Sequence, residues 1–478
     1  MPPYGIDFGT RNTAVECAAG KLTTAEGATI PSAVAYDSLT LAKRFGDDAI
    51  RLLREEDPQI RDRWAVATSF KTALESDAPF VRTPGGTKTA QGVLQDYLGF
   101  LVGRAIAQGL PSLDSAVFSI PVGFSALSRQ RLLAAARAVG IEPIGIVAEP
   151  TAAYLNVAAH LGAAQSVAVV DWGAGTLDVS VLKLTGAAMT RTQVEEHGCH
   201  GSNIAGDHID SSLYEHFAGS ARREGRVVPL TTAVPLELMR TILRRFELEK
   251  IRLSAPNANP NTTLTFPRFV DGKLAQFNLT SQHLRDLGAS ARESVFKVLE
   301  AAILGSGLSI ELIDRIIFVG GCTNLLGFQE EAECKYGRRA IFLPAREWAV
   351  ASGALQVARG GAAYSCLQEF GCVLDDGWFL PLCNSRTFDG TQSTISVAVT
   401  GHAQFASLVF ADRQSGHTSM VGAISVPLQG HVGEPVYIRT TLNRDLTVGI
   451  EAWSQAGNAQ DVQRLNVPNT RFRFEMTP

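Results

Sequence analysis

Apolar and polar residues alternate along much of the chain with the short periods that predict strands and helices. The clearest example is residues 167–181, VAVVDWGAGTLDVSV, where two apolar runs flank a polar turn. This pattern is typical of a strand–turn–strand hairpin. Glycines in the turn allow the backbone to approach a ligand closely and to point N–H groups towards it. Taken alone, the stretch fits a ligand-binding hairpin and an ordinary glycine-rich hairpin equally well.

A second copy of this pattern opens the chain. Residues 4–17, YGIDFGTRNTAVEC, run from an apolar strand through Asp7, Gly9 and Thr10 into an alternating strand, about 165 residues before the other copy. The repeat predicts a duplicated fold in which each half presents one hairpin to opposite sides of the same phosphate chain. A carboxylate in the turn can hold a metal-bound water, and a hydroxyl can reach a phosphate oxygen. The other turn carries a matching set: Asp171, Gly173, Gly175, Thr176 and Asp178.

Between and after the hairpins, strands alternate with helices, which predicts an α/β class. The predicted helices include residues 89–110, 128–140, 236–254, 280–304 and 347–359. Residues 144–155, IGIVAEPTAAYL, read as a strand that runs into a helix, with Glu149 at the strand's end. A carboxylate there can face a ligand cleft, although it can also simply cap the helix. Residues 314–323, DRIIFVGGCT, predict a strand–glycine–glycine–helix unit, where a nucleoside can lie against bare backbone.

The pattern changes after GGAA at residues 360–363, a plausible boundary. Short alternating strands separated by turns follow, at residues 395–399, 403–410, 422–427, 436–442 and 447–452. They predict an all-β module of about 115 residues, with the chain ending soon after its last strand.

Composition narrows the function classes. A chain of 478 residues is long enough for more than one domain, and its net charge of −4 gives no reason to expect nucleic acid or an anionic membrane as a partner. No apolar run has membrane-spanning length, and the N-terminus lacks a secretory signal pattern. Seven scattered cysteines without a CxxC pair fit reduced thiols, so we expect a cytoplasmic protein. The stretch HGCHGS, with His197, Cys199 and His200, reads as a polar loop rather than a metal site.

In their order along the chain, these motifs resemble the Hsp70 (DnaK-type) chaperone family of the actin/hexokinase ATPase superfamily. GIDFGTRN and VVDWGAGTLDVS are similar to its two phosphate motifs, and IVAEPTAAYL to its connecting segment. AGDHID resembles its GG-E-DFD element, ELEKIRLS its adenosine-binding helix, IIFVGGCTN its adenosine motif and EWAVASGA its closing helix. The resemblance implies a duplicated ribonuclease-H-like (actin-like), two-lobed ATPase domain over residues 1–363, followed by a β-sandwich over 364–478 without a helical lid. One lobe would comprise about residues 1–165 with 346–363, and the other about 166–345.

The resemblance also implies roles for single residues. Asp7 and Asp171 would hold Mg²⁺, mainly through water, and Glu149 would orient the water that attacks the γ-phosphate. Lys71, within SFKTAL, is similar to the family's catalytic lysine, and Thr176 completes the catalytic set. The implied ligands are ATP or ADP and Mg²⁺, with K⁺ as a further cation. The implied nucleotide-binding residues are Gly9, Thr10, Arg11, Asn12, Gly173, Ala174, Gly175, Gly206, Glu247, Lys250, Ser254, Gly320, Gly321, Cys322, Asn324 and Glu347.

The chain departs from the family pattern at identifiable places. Arg11 stands where the family usually has a second threonine, and Ala174 replaces a glycine. Asn324 stands where the family has an arginine that stacks on adenine, which predicts weaker nucleotide binding. The apolar linker of the family is not recognisable between Gly360 and Phe370, so coupling between the domains is in question.

The leading expectation is an Hsp70-like chaperone that hydrolyses ATP and binds unfolded or extended peptide segments through its β-domain. A J-domain co-chaperone and a nucleotide exchange factor are the partners that the resemblance implies. The first alternative is a nucleotide-binding regulatory or scaffold protein with weak ATPase activity and one fixed protein partner. A small-molecule kinase of the same superfamily is the other alternative, which the β-module disfavours.

Overall fold

The computed structural model describes residues 2–476 except for residues 54–56, 62, 159–160, 162–164, 186–191, 226–227, 229–235, 267–268, 270–271, 344–345, 361–362, 368, 385–389, 415–416, 444–446, 455–460 and 468–471. The chain forms two compact units. The first contains Met1–Pro143, Val147–Leu182 and Gly198–Arg359, and the second contains Ile144–Ile146, Lys183–His197 and Gly360–Pro478.

The N-terminal part of the first unit is built around one sheet in the order β11-β10-β1-β2-β3, with β4 paired to β2. Its elements are β1 (Tyr4–Phe8), β2 (Asn12–Cys17), β3 (Gly20–Leu22), β4 (Ile30–Pro31), β5 (Ala33–Asp37), β6 (Lys43–Phe45), α1 (Asp47–Leu53), α2 (Pro58–Arg61), β7 (Trp64–Thr68), β8 (Val81–Thr83), β9 (Gly86–Lys88), α3 (Ala90–Ala107), β10 (Ser115–Ile120), α4 (Ala126–Ala138), β11 (Glu142–Ala148) and α5 (Glu149–Val157).

Strand β1 lies in the middle of this sheet, and its neighbours explain its composition. It pairs in parallel with β10 and antiparallel with β2, where Asp7 lies opposite Ala14. Tyr4, Ile6 and Phe8 point to the same face of the strand and are fully buried, as expected for a face that packs against the core. The polar Asp7 therefore stands out in an apolar strand, next to the turn that leads into β2.

The following part of the first unit repeats this plan. A second sheet runs in the order β18-β17-β12-β13, and β14 pairs with β13. The elements are β12 (Ser166–Trp172), β13 (Leu177–Thr185), β14 (Thr192–Ser202), α6 (Gly206–Arg223), α7 (Leu236–Ser254), β15 (Asn261–Phe266), β16 (Ala275–Thr280), α8 (Ser281–Gly305), β17 (Arg315–Val319), α9 (Phe328–Tyr336), β18 (Ala340–Phe342) and α10 (Arg346–Gly360).

Strands β12 and β17 run in parallel and end at the same edge of this sheet, because Asp171 lies opposite Val319. The turn after Asp171 and the glycines after Val319 consequently share one edge. A ligand in an open α/β sheet usually binds at this carboxyl end of the strands. Below that edge, Trp172 packs at 4.9 Å, between ring centroids, from Phe328, within a continuous apolar core.

The second unit consists mainly of strands. Two sheets run in the orders β21-β20-β23-β24 and β22-β25-β26-β27, and β24 contacts β26 and β27. Buried and half-buried residues alternate along β25 and β26, which is the pattern of strands with one covered face. The strands are β19 (Ala363–Cys366), β20 (Glu369–Val373), β21 (Phe379–Cys383), β22 (Gln392–Ala398), β23 (Phe405–Gln414), β24 (His417–Pro427), β25 (Pro435–Leu442), β26 (Val448–Ser454), β27 (Gln463–Val467) and β28 (Phe472–Met476).

The last strand makes a long-range pairing within this second unit. Strand β28 lies between β14 and β19, with Thr192 opposite Met476 and Cys366 opposite Phe472. The Arg473 guanidinium donates to Glu195 Oε1 at 2.5 and 2.9 Å, and His197 Nε2 lies 2.9 Å from Glu195 Oε2. The C-terminal residues are thereby held to β14 by backbone pairing and by charge.

Two sequence predictions are wrong in this region. HGCHGS belongs to β14 and not to a loop, because β14 pairs with the preceding strand β13. The strand at 447–452 is also not the last one, since β27 and β28 follow it. Residues 361–362 of the proposed boundary at 360–363 lie outside the described residues, and the boundary and the two-lobe division of residues 1–363 stay predictions.

Most other elements lie close to their predicted positions. Helix α7 has the predicted bounds, and α3, α4, α8 and α10 differ by a few residues at their ends. The helix predicted to follow the two glycines of the unit at 314–323 begins only at Phe328, since residues 321–324 form a single tight turn before α9. Within the described residues, no helix is both long and apolar enough to cross a membrane.

Candidate functional site

The turn between β1 and β2 is held rigidly by one serine. The Ser32 hydroxyl donates to the Gly9 carbonyl at 2.8 Å, and the Ser32 N–H donates to the Arg11 carbonyl at 2.8 Å. Thr13 lies 2.9 Å from the same hydroxyl. Thr10 is buried within this turn. The turn therefore presents Thr10 and its neighbouring backbone in one fixed conformation.

The turn between β12 and β13 lies against the first turn. The Gly173 N–H donates to the Thr176 carbonyl at 2.9 Å and closes the turn. A Cβ atom on Gly175 would lie only 2.5 Å from the Thr10 Oγ1 atom, so a larger residue could not occupy this position without a shift. The two hairpins predicted from the repeated pattern thus face each other at close range.

A buried ion pair lies beside the two turns. The Lys71 Nζ atom donates to Glu149 Oε1 at 2.5 Å, and the side chains are only 5% and 8% exposed. Glu149 is the first residue of α5, where the helix dipole favours a carboxylate. Lys71 lies in a short tight turn, Phe70–Ala73, which follows Ser69 in a left-handed conformation with φ of 57°. Lys71 is therefore positioned by a partner in another element, and Glu149 does more than cap its own helix.

Acidic side chains converge around this pair. Burial and the neighbouring Glu149 raise the pKa of Asp7 to about 6, although Lys71 and the Ser119 hydroxyl oppose the shift. Burial, again with Glu149, raises the pKa of Asp178 to about 7. Burial and the other three carboxylates raise the pKa of Asp171 well above its usual range. These carboxyl groups repel one another when ionised, and the Lys71 ammonium offsets part of this repulsion.

This acidic cluster fits a divalent cation, which would relieve that repulsion. Among the described residues, no group of three or more His, Cys, Asp or Glu side chains is arranged to hold a metal directly. That Asp7 and Asp171 hold Mg²⁺, mainly through water, stays a prediction. Ser119, which donates to Asp7 at 2.8 Å, was not predicted as a site residue. Asp178, which the sequence places in the second turn without a catalytic or binding role, accepts from the Val122 N–H at 2.8 Å.

The other end of the site is formed by α7 and by the loop after β17. The Lys250 Nζ atom lies 2.7 Å from Asp210 Oδ1 and donates to the Gly206 carbonyl at 2.9 Å. Gly320 has φ of 86°, and a Cβ atom there would lie 2.4 Å from Asp171 Oδ1. Only glycine suits that position, which leaves backbone rather than a side chain beside Asp171. Asn324 is exposed, and its amide donates to the Gly321 carbonyl at 3.3 Å.

These groups surround one cavity of about 470 Å³, which has the size of a small-molecule site. Among the predicted catalytic and nucleotide-binding residues, all except Gly206 line it. Gly206 accepts from Lys250 through its carbonyl and donates its N–H to the Gly173 carbonyl at 3.2 Å. Sequence reasoning missed Ala14, Thr29, Ile251, Ala255, Pro256, Leu325, Arg346 and Val350, which also line the cavity. Arg346 had a usable signal, because it directly precedes the EWAVASGA motif. The roles assigned to the lining residues stay predictions.

Comparisons with known proteins identify the family of this chain. A model of the Hsp70 protein family matches residues 3–360. The chain is also similar to the stromal 70 kDa heat shock-related protein, chloroplastic, of Pisum sativum, with 27% identity over 356 residues, which covers 68% of this chain and 48% of that protein. The chain therefore spans about half the length of the curated relative that it matches. Because the family match extends over well more than half of the residues, this chain belongs to the Hsp70 family.

Proposed function

We propose that the chain binds MgATP in the cavity between its two hairpin turns and hydrolyses the β–γ phosphoanhydride bond. The observation that carries this proposal is the convergence of both turns, the Lys71–Glu149 pair and the glycine loop at Gly320 on one cavity of about 470 Å³. Members of the Hsp70 family are ATPases, and the family match covers this part of the chain. In this proposal the two-lobed, actin-like arrangement predicted from the sequence brings the two turns together around the phosphates.

Each group has a defined task in this reaction. Mg²⁺, held by Asp7 and Asp171, would neutralise charge on the phosphate oxygens. The Thr10 and Thr176 hydroxyls and the turn N–H groups donate hydrogen bonds to those oxygens. The Lys71 ammonium adds positive charge on the same side, and it holds the Glu149 carboxylate in place. Glu149 accepts a hydrogen bond from the attacking water and orients it for in-line displacement.

The second unit is proposed to bind extended, apolar peptide segments as a β-sandwich. An extended peptide can add to a free sheet edge through main-chain hydrogen bonds. The residues of β22 are all half-buried or exposed, and Trp378 is 67% exposed in the turn between β20 and β21. A J-domain co-chaperone and a nucleotide exchange factor belong to the same proposal, because both act on chaperones of this family.

The test measures MgATP turnover by the full chain, beside Glu149→Gln and Lys71→Met variants, with and without an apolar peptide. We expect turnover to fall by at least about a hundredfold in both variants, which is typical of the loss of a positioned acid–base or charge-stabilising group. Glu142→Gln is the matched control, because Glu142 is an exposed glutamate in the strand that leads to Glu149. Equal turnover in Glu149→Gln and the parent would contradict the assigned site.

A nucleotide-binding scaffold with weak ATPase activity is the second candidate. Its support is the sequence, in which the apolar linker of the family is not recognisable between Gly360 and Phe370 and no helical lid is predicted within residues 364–478. Tight ADP binding by the parent together with no measurable turnover would favour this candidate. Stimulation of turnover by peptide would favour the chaperone.

A further inference from the structure

Arg11 connects two parts of the first unit that face each other across the cavity. Its Nη2 atom donates to Asp207 Oδ1 at 2.7 Å, and its Nε atom lies 3.4 Å from Glu247 Oε2. Arg11 is in the turn between β1 and β2, Asp207 is in the first turn of α6, and Glu247 is on α7. A single side chain thus joins the first hairpin to two helices that belong to the other half of the repeat.

Both ends of this connection are anchored. The Arg11 backbone is fixed by the Ser32 N–H, as described above. At the far end, the Asp207 N–H donates to the Ala174 carbonyl at 2.8 Å, and the Gly206 N–H donates to the Gly173 carbonyl at 3.2 Å. The start of α6 is therefore bonded to the second hairpin turn. Through Arg11, the two turns that flank the cavity become mechanically connected.

The connection is largely shielded from water. The side chains of Arg11 and Glu247 are 15% and 6% exposed, whereas Asp207 is 36% exposed. Although burial opposes its charge, the carboxylates of Glu247, Asp207 and Asp210 raise the pKa of Arg11. Ion pairs shielded in this way are weakened less by salt than exposed pairs. Separation of the two turns would break the ion pairs of Arg11 with Asp207 and Glu247 and would expose Glu247.

We propose that Arg11 is a positioning residue that tethers the first hairpin turn to α6 and α7 and thereby slows the release of bound nucleotide. This inference rests on the proposed function, because it assumes that a nucleotide occupies the cavity. A nucleotide seated between the turns leaves when they separate, and the tether opposes that separation. Removal of one partner of a shielded charge pair acts mainly on the dissociation rate.

The test follows the release of N-methylanthraniloyl-ADP from the full chain, with Mg²⁺ present, after mixing with excess ADP. We expect Arg11→Thr to release the probe about tenfold faster and Asp207→Asn about threefold faster, since Asp207 is more exposed. The double variant should release no faster than Arg11→Thr alone, because both substitutions break the same connection.

Arg244→Gln is the matched control, because it also removes a positive charge next to Glu247. The Arg244 Nη1 atom lies 2.6 Å from Glu247 Oε1, but both residues are on α7, so this pair does not connect α7 to the first hairpin turn. We expect its release rate to stay within about twofold of the parent. If Arg244→Gln released the probe as fast as Arg11→Thr, the loss of a charge partner of Glu247 would by itself explain the faster release, and the proposed tether would be overturned. Slower or unchanged release in Asp207→Asn would also overturn it, since an arginine freed to bind phosphate predicts that result.

A second measurement needs no nucleotide. In the nucleotide-free chain, Arg11→Thr should speed amide hydrogen exchange at residues 206–210, and Asp207→Asn should speed it at residues 9–12. Exchange in β25 and β26 of the second unit should not change. Unchanged exchange at both sites would refute the tether even if the parent binds no probe. Failure of the parent to bind the probe would instead contradict the proposed function.

Discussion

Replacement of Lys71 by methionine should strongly destabilise the first unit in the absence of nucleotide. Lys71 is 5% exposed and contacts a glutamate that is 8% exposed. The substitution keeps an apolar chain of similar length and removes only the charge. It leaves the Glu149 carboxylate buried without the ammonium that it contacts, in a region that also holds Asp7, Asp171 and Asp178.

The size of the effect follows from this burial. Loss of one partner of a buried ion pair typically costs about 3–5 kcal/mol of unfolding free energy, because the remaining charge stays desolvated. With a urea m-value of about 3 kcal/mol per molar, the midpoint should fall by about 1 M or more. The double variant Lys71→Met, Glu149→Gln should recover part of this loss, since it leaves no unpaired charge at this contact.

Urea unfolding followed by circular dichroism at 222 nm measures this effect, because the helices that the structure describes lie in the first unit. Lys88→Met is the matched control. Lys88 pairs with Asp96 at 2.7 Å but is 32% exposed, and such pairs contribute about 0–1 kcal/mol. Equal midpoints for Lys71→Met and Lys88→Met would refute the reasoning, because burial would then make no difference to the cost.

Three further predictions concern other parts of the molecule. Gly353→Ala should lower the unfolding free energy measured in urea by about 3 kcal/mol, because the added Cβ would clash with a backbone carbonyl of α5. The control is Gly103→Ala in α3, where the added Cβ meets nothing within 4 Å and should not lower the unfolding free energy. Without Mg²⁺ and nucleotide, the unfolding free energy should fall as pH rises from 5 to 8. Burial raises the pKa of Asp178 from 3.8 to about 7, so the folded state holds more protons than the unfolded state in this range. Asp178→Asn should reduce the dependence of the unfolding free energy on pH, and an unchanged dependence would contradict the raised pKa of Asp178. Arg473→Gln should speed amide exchange in β28, since it removes the guanidinium donors to Glu195, and unaltered exchange would show that backbone pairing alone holds the strand.

The hairpins and their turns could be predicted because their signals are local. Each lies within about fifteen residues, and each combines apolar alternation with glycines at the turn. Helix α7 could be placed for the same reason. The order of the motifs then carried the family resemblance, which the comparison with the Hsp70 family confirms.

Features that depend on distant partners could not be predicted in this way. Lys71 is buried only because Glu149, 78 residues later, faces it. Ser119 joins the site through the packing of different strands, and nothing in its immediate sequence marks it. The turn motif marks Asp178, but its bond to the Val122 N–H comes from a segment 56 residues earlier. The assignment of HGCHGS to a loop failed because its strand character comes from sheet pairing. The sequence marks Arg11 only as a departure from the family pattern in a phosphate motif, and its contacts with α6 and α7 could not be predicted from it.

The pairing of β28 with β14 has a consequence for synthesis of the chain on the ribosome. Glu195 and Arg473 are 278 residues apart, so the β14 edge at residues 192–195 emerges long before its partner. At about 5–20 residues per second, the delay is roughly 15–60 s. Throughout this interval an unpaired strand edge is open to association with other nascent chains. We therefore expect newly made chains to need protection at this edge until translation reaches residues 472–476.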